Sequence, residues 1–392
     1  MSANDRQVNR FNQMNDLLPN QLNENTELIS TALQYLSKSG YQQVETPIIE
    51  DSDLFARKGG GELMGLVCTF SDARGQRVSL RPEFTSSIIR LYIEQNNKQD
   101  SETKWSYAGP VFRYRSYGQM VLEQFTQVGG EVIGDQEANT DSELICTAYN
   151  GLKKLGVKNP KITIGDAKSL SKFFNTFEIS NPAKQFIKSN LGNIRSGITD
   201  QKQLVELAIE SGLTDEEGSA TGSDSGSKAL LKLEELSKDQ INKPLGRRTP
   251  TEIITRLESK GSVVNDKNEF SRAVDFASKL VAINGDSNNS LDSADQLISI
   301  AGLGSKFFDP LKSLLLDLEN KGLPIENLSL DFGMVRGISY YTGMIFELTS
   351  GNDSISLGGG GRYDKLAANL GGTNSNALGF AYNIDAISEA IK

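Results

Sequence analysis

The 392-residue chain is long enough to bury a large core and to hold two domains. It contains no histidine, so Ser-His and Cys-His nucleophilic chemistry and histidine metal ligation are excluded within it. A net charge of −9 and a pI near 4.9 disfavour the binding of a polyanion such as tRNA, unless a local basic patch offsets them.

Cys68 and Cys146 have no metal-ligand spacing, and no apolar run approaches membrane-spanning length. The N-terminal MSANDRQVNRFNQMND lacks a signal peptide's apolar stretch. A reduced, cytoplasmic protein without a disulfide framework, metal or cofactor is expected.

In chain order, residues 20–39 carry Leu28, Leu33 and Leu36 at helical spacing, and Gly40 suits the end of that helix. Pro47 marks the next extended segment as an edge or interface strand. GGGELMG reads as a loop, followed by strands at Leu66–Ser71 and Arg77–Leu80 around a turn. Pro82 is expected to open a helix bearing Phe84, Ile88, Leu91 and Tyr92 on its apolar side. Glu83, in its first turn, either complements the helix dipole or serves as a ligand group.

Trp105–Gly134, WSYAGPVFRYRSYGQMVLEQFTQVGGEVIG, reads as a β-hairpin with its turn within Ser116–Leu122. Alternation puts Gln127, Gly129 and Glu131 on one face, a polar floor with room for a small ligand between the two side chains. Arg113 is expected near Gln127 across the ladder. Asn139–Leu155 reads as a helix and KITIGD as a strand.

From 167 to 322 charged helices dominate, at Gln201–Ser211, Ser227–Leu236, Thr249–Ser259, Phe270–Asn284 and Ser305–Lys321. The Gly-, Ser- and acid-rich 212–226 is expected to be flexible. This region reads as an inserted helical domain. The discontinuous remainder, 1–166 and 323–392, forms the core. Its last part gives strands at LSLDF and ISYYTGMIFELTS, where Tyr341, Gly343 and Ile345 share a face. Gly358–Gly361 read as a tight turn rather than a phosphate loop, because no Gly-Lys-Ser/Thr follows. ALGFAYNIDAISEAIK closes the chain as strand and helix.

Together, LRPEFTSSIIR, FRYRSYGQ…QFTQVGGEVIG, VRGISYYTG and GGGGRYD resemble, in order, four signatures of the histidyl-tRNA synthetase family. The resemblance covers roughly 10–165 and 325–392. It implies an α+β fold: a class II aminoacyl-tRNA synthetase-like, mostly antiparallel sheet flanked by helices, dimerising near Gly40–Glu50. It also implies a histidine-binding pocket. There Glu83 would hold the α-ammonium and Arg113 the carboxylate side, Arg336 would stand near the carboxylate or phosphate, and Gln127 would assist recognition. Glu131 and Tyr341 would contact the imidazole, and Tyr363 would line the pocket.

Departures from the pattern concern ATP. Arg115 stands where the family has a Glu, Val121 and Glu123 where it has arginines, and Ala386 where it has the motif 3 Arg. Ser339 replaces a frequent Asp. The chain also ends after motif 3, where the synthetases continue into an anticodon-binding domain. This combination resembles the synthetase-like regulatory subunits of ATP phosphoribosyltransferase. Those are non-catalytic partners of a short catalytic subunit, in a hetero-oligomer that begins histidine biosynthesis under feedback inhibition by histidine. The alternatives are a truncated histidyl-tRNA synthetase, an amino-acid-activating paralogue, or a scaffold that has kept the fold alone.

Overall fold

The computed structural model describes residues 9–11, 14–95, 102–116, 120–135, 140–214, 265–302, 304, 306–334, 340–351 and 355–392. The chain divides into two compact units, one of Met1–Lys168, Gly285–Leu291 and Lys306–Lys392, the other of Ser169–Asn284 and Asp292–Ser305.

The first unit begins with α1 (Pro19–Lys38), with proline at its first position and Leu28, Ala32 and Leu36 buried four residues apart. Gly40, at φ +89°, ends it in the left-handed conformation that glycine adopts without strain. Then follow β1 (Gln42–Gln43), β2 (Ile49–Asp51), α2 (Ser52–Met64), β3 (Thr69–Ser71), β4 (Arg77–Leu80) and α3 (Thr85–Gln95). The glycine-rich 59–61 lies inside α2 rather than in a loop. Leu54 and Phe55 anchor that helix in a small core with Val67, and this burial outweighs the poor helix propensity of glycine. Helix α3 begins at Thr85, not at Pro82, which leaves Glu83 just ahead of it.

The hairpin strands β5 (Thr103–Ser116) and β6 (Met120–Ile133) are followed by α4 (Thr140–Lys154) and β7 (Lys161–Asp166). The second unit holds α5 (Ala167–Phe174), whose first two residues belong to the first unit, then α6 (Asn181–Arg195), α7 (Gln201–Glu210) and α8 (Lys267–Ala282). Its core is apolar, with Phe173, Phe174, Ile187, Leu191, Leu204, Phe270 and Val274 all fully buried. The expected flexible stretch lies outside the described residues from 215 on, as do the helices expected at 227–236 and 249–259.

Next come β8 (Asn284–Asp286), α9 (Ser287–Ile300), α10 (Asp309–Asn320), β9 (Leu328–Asp331), β10 (Met344–Thr349), β11 (Ser356–Arg362), α11 (Leu366–Asn369), β12 (Ala377–Asn383) and α12 (Ile384–Ala390). Helix α10 packs on α4, where Ser142 Oγ donates to Asp317 at 3.1 Å. Residues 306–322 therefore belong to the first unit, not to the insertion expected at 167–322.

Among the described residues the main sheet has nine strands in the order β1-β5-β6-β12-β11-β10-β7-β9-β8. Its central pairings are antiparallel, whereas β1–β5 and β7–β9 are parallel. A second sheet runs β2-β4-β3. The mostly antiparallel, helix-flanked α+β architecture is as expected. Gly358–Gly361 lie within β11 instead of forming a tight turn. A Cβ on Gly360 would come within 2.0 Å of the Gly379 carbonyl, so glycine is what lets β11 lie against β12. No helix among the described residues is long and apolar enough to cross a membrane.

Candidate functional site

The β5–β6 register positions the site. Gly109 lies opposite Gln127, Tyr107 opposite Gly129 and Arg113 opposite Glu123. Arg113 is thus four residues from the position expected beside Gln127. The ladder continues as far as Ser116 opposite Met120. Alternation still keeps Tyr107, Arg113, Gln127 and Glu131 on one face.

The floor between Gln127 and Glu131 is filled, not open. The Tyr107 ring lies over Gly129, where a Cβ would come within 2.6 Å of its hydroxyl and 2.3 Å of the Phe380 carbonyl. Tyr107 also stacks on Phe84, centroids 4.3 Å apart. Gly129 therefore accommodates a tyrosine of the protein itself, not a ligand.

Glu131 sits beneath this layer at 1% exposure. It accepts hydrogen bonds from Thr85 Oγ1 at 2.8 Å, from Tyr107 Oη at 3.0 Å and from the Tyr363 hydroxyl. Burial pushes its carboxyl up to about 7, against the Tyr363 and Thr85 hydrogen bonds that favour the charged form. The Glu131 carboxylate lies behind the cavity wall and is occupied by hydroxyls, so it does not present itself to an imidazole as expected.

Beside this layer opens a cavity of about 510 Å³, walled in part by Glu83, Arg113, Gln127, Tyr341, Tyr363 and Ala386. Five of the expected site residues are thus brought together on one surface. Arg336 lies outside the described residues, as does Ser339. Gln127 is largely buried, and its Oε1 has no hydrogen-bond partner among the described residues. Arg113 Nε donates to the Pro82 carbonyl at 2.6 Å, which aims the guanidinium. Tyr341 stacks on Tyr340 at 4.5 Å.

Of the two roles left open for Glu83, the structure shows the one at the start of α3. The backbone N–H of Ser86 donates to its two carboxylate oxygens at 3.2 and 3.3 Å, satisfying the start of α3. Its Oε2 also lies 2.8 Å from Lys58 Nζ. Burial would raise the Glu83 carboxyl, but the Lys58 ammonium and Ser86 hold it below the usual carboxylate range. Burial lowers the Lys58 ammonium in turn, against the pull of Glu83. Sequence reasoning missed Lys58, because a lysine in a helical stretch reads as solvated unless a tertiary partner is known. Tyr107 and Tyr340 were missed as well; the parity of Tyr107 against Gly129 carries a signal only once the register is known.

The segments expected to have lost ATP contacts carry a reversed pair. Arg115 Nε lies 2.7 Å from Glu123 Oε2, half-exposed at the cavity rim. Ala386 presents only a methyl group to the cavity from α12. At the far end of β11, Arg362 is held by Asp135, Asp141 and Asp364 at 2.7–3.2 Å, which keeps the GGGGRYD segment in place. The site therefore offers a carboxylate, cations, an amide acceptor and phenols, groups suited to holding a small polar molecule.

A family model described as histidyl-tRNA synthetase matches residues 13–240 and 260–387. The histidine–tRNA ligase of Sulfurisphaera tokodaii (strain DSM 16993 / JCM 10545 / NBRC 100140 / 7) is 29% identical over 373 residues, spanning 95% of this chain and 72% of that protein. The histidine–tRNA ligase of Saccharolobus islandicus (strain Y.G.57.14 / Yellowstone #1) is 30% identical over 371 residues, 93% of this chain and 71% of that one. Among solved structures, a Bacillus halodurans C protein named ATP phosphoribosyltransferase regulatory subunit/histidyl-tRNA synthetase superposes with a TM-score of 0.65. It is 21% identical and covers 97% of this chain and 82% of that one, a likeness of fold. The ordered signatures, the sheet that carries them and the extent of the family match agree: this chain belongs to the histidyl-tRNA synthetase family.

Proposed function

We propose that this chain is the regulatory subunit of an ATP phosphoribosyltransferase. In this reading it is a cytoplasmic, non-catalytic partner of a short catalytic subunit, and it holds histidine as feedback inhibitor in the cavity beside the β5–β6 hairpin. The observation that carries the reading is the altered charge at the ATP positions. Arg115 is an obligate donor where an adenine amino group needs an acceptor, and it is paired with Glu123 instead. Ala386 removes a cation from the cavity. Adenylate chemistry rests mostly on fixed charge, so an ATP held here would lack much of its compensation. The Bacillus halodurans neighbour bears a name that joins both roles, which is in keeping with this reading.

The second reading, a histidyl-tRNA synthetase, is favoured by the names of the relatives at 26–30% identity. Two measurements separate them. Histidine-dependent ATP–pyrophosphate exchange is expected to be absent, and a short phosphoribosyltransferase chain is expected to gain activity on mixing and to lose it again when histidine is added. Exchange at ordinary enzyme concentrations would establish the synthetase reading and overturn the regulatory one.

A further inference from the structure

Lys58 has no part in the reading above, yet it is buried against two residues of the cavity wall, Glu83 and Tyr340. Its side chain is fully buried, its Nζ lies 2.8 Å from Glu83 Oε2, and it sits 3.9 Å from the centroid of the Tyr340 ring. A carboxylate beside an aromatic face is the arrangement that recognises an ammonium group. Glu83 and Tyr340 both border the cavity, so its ammonium subsite is already filled from within the chain. The same cavity contains the buried Gln127 Oε1, an acceptor without a donor among the described residues. The cavity is thus incomplete at Gln127 among the described residues, whereas the Glu83 carboxylate is already ion-paired.

We propose that Lys58 is a tethered competitor for the ammonium subsite, so that an α-amino acid binds fully only by displacing it from Glu83, and Lys58 thereby sets the concentration at which the ligand is sensed. The inference rests on the cavity being the histidine site proposed above. Its energetic basis is exchange. A ligand ammonium gains Glu83 and Tyr340 only as Lys58 loses them, so the two contributions nearly cancel. A ligand without the ammonium leaves the internal pair intact. Displacement is feasible because the lysine stem has four rotatable bonds and α2 continues through Gly59-Gly60-Gly61. Each of these glycines makes a helix less favourable than alanine does.

Calorimetry on the full chain tests this with L-histidine and its des-amino analogue, 3-(imidazol-4-yl)propionate. Wild type is expected to bind the two within about threefold of each other, whereas a pocket with a vacant carboxylate favours the ammonium by about tenfold or more. Lys58→Met, which keeps the stem but removes the charge, is expected to tighten histidine binding by about tenfold or more and to leave the analogue nearly unchanged. If Lys58→Met binds histidine as wild type does, the competitor role is overturned while the histidine site stands. If neither protein binds histidine, both ideas fail together. Should Lys58→Met not fold, the wild-type ratio decides, and a clear preference for histidine over the analogue overturns the proposal.

Discussion

Glu131 lies at the bottom of a well of hydroxyls, and its chemistry is that of a buried acid. Thr85, Tyr107 and Tyr363 supply hydrogen bonds that favour its charged form, but burial outweighs them and pushes the carboxyl from 4.5 up to about 7. The sign of the pH effect follows. Below about pH 4.5 the folded and unfolded chains both hold the proton. Between there and about pH 7 the folded chain keeps a proton that the unfolded chain has released, so stability falls as the pH rises. Integrated over that window the loss is on the order of 3 kcal/mol. Glu131→Gln, which does not titrate, is expected to flatten the decline of Tm between pH 5 and 7.5; a variant whose profile parallels wild type would show that Glu131 stays ionised in the fold. The sequence put Glu131 on the correct face of its strand, since a period of two needs no tertiary knowledge. It did not reveal that Tyr107 and Tyr363 close over the carboxylate, because those residues come from β5 and from the end of β11.

At the scale of the element, the β5–β6 hairpin carries two sets of polar residues. Its base carries Gln127 and Glu131, while its outer end carries Arg115 and Glu123 as an ion pair of reversed polarity. Gly129 is the hinge of this arrangement, because Tyr107 occupies the space above it. Gly129→Ala would force a Cβ to within 2.3 Å of the Phe380 carbonyl and 2.6 Å of the Tyr107 hydroxyl. Overpacking of this kind costs about 1–3 kcal/mol, and urea denaturation is expected to show a loss in that range. The hairpin itself was legible from its β-branched and aromatic content. Its register was not, since the turn length, and with it the Arg113–Glu123 pairing, depends on how far the strands continue toward the tip. The glycine run of β11 was misread for a related reason. Glycine signals a special backbone need, and here that need is closeness to β12 rather than a turn.

On the scale of the molecule, the two units have cores of their own. Helix α10 shows why the expected boundary moved. Its apolar residues Leu311, Leu315 and Leu318 have helical spacing, which identifies a buried face but not the partner that buries it. The partner is α4, so the helix falls within the first unit. The overall charge of −9 is a whole-molecule property as well. Filter binding at physiological salt is expected to show tRNA affinity no tighter than the non-specific range of about 10⁻⁴–10⁻⁶ M. A nanomolar complex would show that a local basic patch overrides the net charge.

The amino-acid sequence by itself determined the fold class, the order of the signatures and the departures at Arg115, Glu123 and Ala386. These depend on local periodicity and on residue chemistry at fixed positions along the chain. Only the tertiary structure decided which groups face one another. Lys58 on α2 meets Glu83 ahead of α3 and the ring of Tyr340, three segments far apart in the chain. A charge on a helix reads as solvated until the fold removes the water around it. The Lys58–Glu83 pairing therefore arises from burial, which no single segment specifies.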